Sequence, residues 1–190
     1  QYGYTLCIVD TKGSHADLTP EYAAIPAEMK SVAAALGKTV LREVEEEEFF
    51  AKMGELRKKC GDRAVLRAAH FFDENNRVEK AAEALKSGDI DTFLAAINAS
   101  GNSSYKFLQN VYANKNPEEQ GVAVGLYTAE RVLGGKGASR VHGGGFAGTI
   151  QAFVPNELLD EFIKAENAVF GEGSCHKLFI RPVGGTEINV

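Results

Sequence analysis

The sequence predicts an α+β domain: a few antiparallel strands with a helical layer on one face, which a split β-α-β ferredoxin-like core with additional helices would fit. Three observations predict it. Short apolar runs of strand character stand near both ends of the chain, at 4–9, 149–154 and 176–181. Most of the chain between the first two has apolar residues at helical spacing. Finally, 190 residues with 44% hydrophobic and 25% charged content suffice to bury a sizeable core, so 1–190 reads as one domain.

Tyr4-Thr5-Leu6-Cys7-Ile8-Val9 is a continuous apolar run, the pattern of a buried strand. Asp10 to Thr19 is polar and contains glycine, hence a loop. Pro20 suits the first turn of a helix with Thr19 as its N-cap; the helix carries Tyr22, Ile25, Met29, Val32, Ala33 and Leu36, and Gly37 stops it. Pro26, in the first two turns, would delay the true start. A charged amphipathic helix over 45–59 is predicted to turn Phe49, Phe50, Met53 and Leu56 inward. A long helix over 63–85 follows, with Val65, Leu66, Ala69, Phe72, Val78, Ala81 and Leu85 as its apolar stripe. Lys86-Ser87-Gly88-Asp89 ends it and caps the next helix, striped by Ile90, Phe93, Leu94 and Ile97. Ala99 to Tyr105 is rich in Ser, Asn and Gly and reads as a turn. Pro117-Glu118-Glu119 opens a helix that runs to Leu133 and ends at Gly134-Gly135. A short strand, a glycine loop, the strand 149–154, a helix over 155–170 and the run His176 to Arg181, closed by Pro182, complete the chain.

A net charge of −5 and a pI near 5.5 argue against a nucleic-acid partner, which calls for a basic face. The acidic run at 43–48 reads as a solvated first helical turn. Cys7, Cys60 and Cys175 are odd in number and far apart, as reduced thiols are. His15, His70, His142 and His176 show no ligand spacing, so no protein-built metal site is expected. No apolar run nears the roughly 18 residues of a spanning helix and no signal peptide stands out, so the expectation is a cytoplasmic protein without a membrane partner. The chain opens at Gln1 and enters a strand almost at once, which suggests a piece cut at a domain boundary.

The most informative segment is Ser139-Arg140-Val141-His142-Gly143-Gly144-Gly145-Phe146-Ala147-Gly148-Thr149. Consecutive glycines cost backbone entropy, a cost tolerated where the chain turns tightly or something must approach it closely. Exposed N–H groups in such a turn form a concave nest for an anion. Glycine turns also close plain hairpins, and the loop alone leaves both readings open.

Read with its neighbours, this run resembles the third signature of the galactokinase, homoserine kinase, mevalonate kinase and phosphomevalonate kinase (GHMP) superfamily. Arg140 to Gly148 resembles the galactokinase run Arg-Met-Thr-Gly-Gly-Gly-Phe-Gly-Gly. Asp10-Thr11-Lys12-Gly13-Ser14-His15 resembles the family's Asn-Thr-x-x-x-His segment, and Tyr22 stands seven residues after the histidine, where the family has a sugar-contacting tyrosine. Leu41-Arg42-Glu43-Val44 matches a Leu-Arg-Glu-Val segment. Arg67-Ala68-Ala69-His70 with Glu74 and Arg77 resembles an Arg-His-x-x-x-Glu-x-x-Arg helix, read here as a structural charge network. The departures are Ala23-Ala24-Ile25-Pro26 for an Arg-Arg pair, Asn98 to Tyr105 for Glu-Ser-His-x-Ser-Leu, His142 for Thr and Ala147 for Gly.

The resemblance implies the C-terminal domain of a galactokinase-like enzyme that moves the γ-phosphoryl group of ATP to a sugar, galactose becoming galactose 1-phosphate. It implies an N-terminal ATP-binding domain outside this chain that carries the catalytic aspartate and most contacts to ATP and Mg²⁺, so no catalytic residue and no metal ligand is assigned here, and the chain by itself would be inactive. Tyr22 is implied as a substrate contact, and Gly143, Gly144, Gly145 and Phe146 as the loop beside phosphate and substrate. His15, Ser103 and His142 are candidates to stand behind these contacts. The alternatives are a non-catalytic sensor of sugar and nucleotide on the same scaffold, or a kinase for another hexose.

Overall fold

A computed structural model describes residues 2–14, 16–180 and 184–185. Among the described residues the strands are β1 (Tyr4–Asp10), β2 (Ala138–Val141), β3 (Thr149–Pro155) and β4 (Cys175–Leu178). Between β1 and β2 lie α1 (Thr19–Ala35), α2 (Glu46–Ala51), α3 (Met53–Cys60), α4 (Asp62–Ser87), α5 (Ile90–Ser103) and α6 (Gly121–Leu133), and α7 (Leu159–Phe170) joins β3 to β4. The sheet order is β2-β3-β1-β4, with every neighbouring pair antiparallel. β3 thus fits between β1 and β2, and β1 between β3 and β4. These are two interleaved split β-α-β units, the predicted ferredoxin-like core.

Strand alternation sets the layers. Cys7 and Val9 of β1 share a face with Ile150, Ala152 and Val154 of β3; all five are fully buried against Val122, Ala129 and Leu133 of α6 and Phe162 of α7. The opposite face carries Phe153, met edge-on by Phe93 of α5 with ring centroids 5.1 Å apart. Helices therefore cover both faces, not the single face expected, because Phe153 gives α5 an apolar contact on the side of β3 that otherwise carries Thr149 and Gln151. The outer edge of β2 is closed by one side chain: Asn98 of α5 donates to the Gly137 carbonyl and accepts from the Ser139 N–H, both at 3.1 Å. That amide satisfies an edge that would otherwise template further pairing. A second core has no strand in it: Val32 and Ala33 of α1, Phe49 of α2, Leu56 of α3, and Ala64, Val65, Ala68 and Phe72 of α4.

Several sequence expectations change. α1 begins at Thr19 with Leu18 as N-cap, so Thr19 is not the cap, and the helix runs straight through Pro26. Proline there forfeits only its bond to the Tyr22 carbonyl, while the rest of the helix stays packed on α4. The helix expected over 45–59 breaks at Lys52 (φ −98°, ψ 5°), and Phe50 is exposed while its neighbour Phe49 is fully buried. On α4, Val78 and Leu85 face solvent, and Arg67 and His70 are buried instead. The expected turn at 99–105 is helical: α5 continues to Ser103, and a π-helical turn spans Ser104–Leu108. Its small residues serve close packing, since a Cβ on Gly101 would stand 3.0 Å from both the Ser139 carbonyl oxygen and the Arg140 Cβ. α6 starts at Gly121, not at Pro117. β4 ends at Leu178, leaving Phe179 and Ile180 exposed, while Arg181 and Pro182 lie outside the described residues. No described helix is long and apolar enough to cross a membrane.

Candidate functional site

The glycine loop joins β2 to β3 at the end of the hairpin. His142 begins it: its N–H donates to the Thr149 carbonyl and its Nδ1 lies 3.0 Å from Thr149 Oγ1. The backbone then takes positive φ at Gly143 (69°), Gly145 (80°) and Phe146 (61°). Phe146 adopts a conformation that costs a side-chain-bearing residue about 1–2 kcal/mol. Its ring is buried with Leu18, Ala113 and Ala147 and meets the Tyr22 ring edge-on at 5.3 Å, which offsets that strain.

Three parts of the chain hold the loop. Tyr22, in the first turn of α1, donates its hydroxyl to the Gly145 carbonyl at 2.8 Å, and burial raises its pKa so that it stays a phenol and a donor. Asn110, just beyond the π-helical turn, donates Nδ2 to the Gly144 carbonyl at 3.1 Å, and its own carbonyl accepts from the Phe146 N–H at 2.6 Å. Thr11, after β1, gives both its N–H and its Oγ1 to the Gly148 carbonyl at 2.8 Å. Only glycine fits here. A Cβ on Gly144 would lie 2.7 Å from Tyr22 Cε1, and one on Gly145 would run into the Asn110 carbonyl oxygen. The N–H groups of Gly143, Gly144 and Gly145 make no hydrogen bond to any described residue, and Gly143 and Gly144 are exposed. Three donors in a turn of positive and negative φ fit an anionic group such as a phosphate.

Behind β2 lies a polar layer. Glu74 of α4 accepts from Arg77 Nε at 2.9 Å and from Ser100 Oγ, and Arg140 of β2 stands 3.5 Å from it. Arg140 also donates to Ser100 Oγ at 2.7 Å. Burial alone would raise the Glu74 carboxyl; the Ser100 and Arg77 hydrogen bonds and the two arginine charges bring it below its usual range. Ser103 belongs to this layer and is tied to His70 Nδ1 at 2.9 Å. Burial lowers the His70 pKa. A second network secures α1 to α4: Glu28 pairs with Arg63 and with the fully buried Arg67, which also donates to the Leu108 carbonyl at 3.1 Å.

The structure therefore gathers Tyr22, His142, Gly143, Gly144, Gly145 and Phe146 at one loop, while Ser103 bonds to His70. His15 lies outside the described residues. Asn110 was not singled out as a loop contact, because it sits in no motif whose spacing announces it; Thr11 stands in the Asp10–His15 segment, but nothing in that segment's spacing points to the Gly148 carbonyl. Among the described residues no group of three His, Cys, Asp or Glu side chains could hold a metal ion.

No protein-family model matches the chain. It is 32% identical over 167 residues to a galactokinase of Glaesserella parasuis serovar 5, a match covering 87% of this chain and 41% of that protein. It is 33% identical over 148 residues to a galactokinase of Thermotoga petrophila, covering 78% and 38%. Galactokinase of Lactococcus lactis, solved in complex with galactose, superposes with a TM-score of 0.71 at 26% identity over 92% of this chain and 45% of that one. Mevalonate kinase of L. major, at a TM-score of 0.50 and 15% identity, shares the fold. The chain spans about two fifths of the length of the curated relatives it matches. Its glycine loop closes a split β-α-β sheet of the type that forms the C-terminal domain of these kinases, and the chain belongs to the galactokinase-like members of the GHMP kinase superfamily.

Proposed function

We propose that this chain is the C-terminal half of an ATP-dependent sugar kinase. It acts with a nucleotide-binding domain of the same polypeptide to move the γ-phosphoryl group of ATP to a sugar hydroxyl, and the sugar is galactose, taken at its anomeric hydroxyl. The observation that carries this reading is the loop at Gly143, Gly144 and Gly145, whose N–H donors are left unpaired among the described residues while the Gly144 and Gly145 carbonyls are tied down. Phosphoryl transfer asks a protein mainly for positioning and for donors toward developing negative charge, and fixed backbone amides supply both without reorganising.

In this reading MgATP supplies the phosphoryl group. Gly143 and Gly144 donate N–H groups toward its phosphates or the acceptor oxygen, Phe146 anchors the turn from beneath, and Tyr22 stands at the sugar side. His142 and Thr149 brace the loop's base. The resemblance to these kinases assigns the contacts to the divalent ion and the base that takes the acceptor's proton mainly to the nucleotide-binding domain.

The test is ADP release by the polypeptide carrying both domains, with MgATP and a panel of hexoses. Galactose-dependent turnover is expected. Turnover on another hexose alone would reassign the acceptor, and silence on every hexose with sugar binding intact would replace the kinase by a sensor.

A further inference from the structure

We propose that Asn110 is a positioning residue of this site, whose side-chain amide aims the Gly145 N–H by holding the Gly144 carbonyl. The proposal deepens the kinase reading above and rests on it. The peptide between Gly144 and Gly145 is planar and trans, so its C=O and N–H point in opposite directions. Asn110 Nδ2 holds the oxygen at 3.1 Å, and the N–H at the other end of the plane is thereby directed away from Asn110. That N–H belongs to a buried residue and has no partner among the described residues, which is the condition of a donor kept ready for an incoming group. The next peptide is held in the same way at both ends: Tyr22 takes the Gly145 carbonyl at 2.8 Å and the Asn110 carbonyl takes the Phe146 N–H at 2.6 Å.

Chemistry fixes the orientation of the Asn110 amide, because only its NH₂ end can face a carbonyl oxygen. Its Oδ1 is then buried without a partner among the described residues. An apolar side chain of similar size would avoid that unpaired acceptor, so packing alone does not account for an asparagine here; donation to Gly144 does. Asn110 is itself held on both sides. Two residues before it, the Leu108 carbonyl is gripped by buried Arg67, and one residue after it Val111 is buried in the sheet core. Gln109 between them takes a left-handed turn (φ 57°) that connects the two anchors. The helical core thus reaches the loop by two routes, Arg67 to Asn110 and α1 to Tyr22.

The test uses N110A and N110D in the polypeptide carrying both domains. With N110A, kcat should fall about 10–100-fold, the scale of a misplaced catalytic contact, while KM for the sugar stays within about twofold. N110D replaces the donor by an oxygen that repels Gly144. Its activity relative to the unmodified protein should recover about tenfold between pH 8 and pH 6, as a protonated carboxyl donates again, while the N110A ratio stays flat. Hydrogen exchange at the Phe146 amide supplies a readout independent of turnover. The backbone carbonyl of residue 110 survives substitution, so faster exchange there with the 150–154 amides unchanged reports loss of the side-chain tie. Unchanged kcat, or equal losses in both variants without pH dependence, would overturn the proposal. If the unmodified protein turns over no hexose, the kinase reading fails by itself, and exchange alone decides whether Asn110 sets the loop. If N110A does not fold, N110S carries the same comparison.

Discussion

Glu74 and Glu166 are two carboxylates turned into the fold, and their surroundings differ in kind. Glu74 lies behind β2, with Ser100, Arg77 and Arg140 around it, and its pKa falls. Glu166, on α7, is fully buried, neither of its oxygens has a hydrogen-bond partner among the described residues, and burial with a further push from Cys175 raises its pKa to about 8. The same residue type therefore carries a charge in one place and a proton in the other. The charged one is wired to the strand that enters the glycine loop. The neutral one sits beside the Cys175 thiol, toward the β4 edge of the sheet, with no arginine paired to it among the described residues. The charge around Glu74 thus braces the strand that leads into the candidate site.

One substitution made at both positions should break the symmetry. E74Q leaves Arg140 without its counter-charge and Arg77 with only Asp73 at 3.9 Å, and should cost about 2–3 kcal/mol, at or below the low end for breaking a buried ion pair because these groups are half-buried, read by urea unfolding at pH 7. E166Q should do the opposite, stabilising the chain relative to the unmodified protein by roughly 3–4 kcal/mol more at pH 8 than at pH 5. The sign follows from linkage. The folded pKa of Glu166 lies above that of the unfolded chain, so the folded state holds the proton longer and stability drains away as pH rises from near 4.5 toward 8. Glu74 acts in reverse: its lowered folded pKa contributes stability above the unfolded value, lost as pH falls through the folded one. E166Q should therefore flatten only the alkaline limb, and E74Q only the acid limb. An unchanged alkaline slope in E166Q would mean that Glu166 has found a partner.

The smallest expected effect separates the loop from the layer behind it. Y22F removes one hydrogen bond to Gly145 and should cost about 1 kcal/mol. Tyr22 and Glu74 share no hydrogen-bond partner among the described residues, so Y22F with E74Q should add within about 0.5 kcal/mol. A larger coupling would show that the Arg140 network and the loop move as one unit.

The sequence by itself determined the order of strands and helices, the stops at Gly88 and Gly134, the Asp89 cap that accepts from the Thr92 N–H, and the loop that marks the superfamily. These are set by local chemistry: left-handed φ at glycine, a side-chain acceptor at a helix start, and apolar periodicity. Only the tertiary structure decided the rest. Ser100, Gly101 and Ser103 have the composition of a turn, yet they form a helix because β2 lies close enough to need small residues. Phe49 and Phe50 are neighbours of equal hydrophobicity on one helix, and packing against the helical core with Phe72 buries Phe49 while Phe50 turns outward. Asn110 carries no local signal at all; its importance arises from a carbonyl 34 residues away along the chain that only folding brings within 3.1 Å. Short-range propensity is written in neighbouring residues, whereas which polar group finds a partner and which stays bare depends on what the finished packing places beside it.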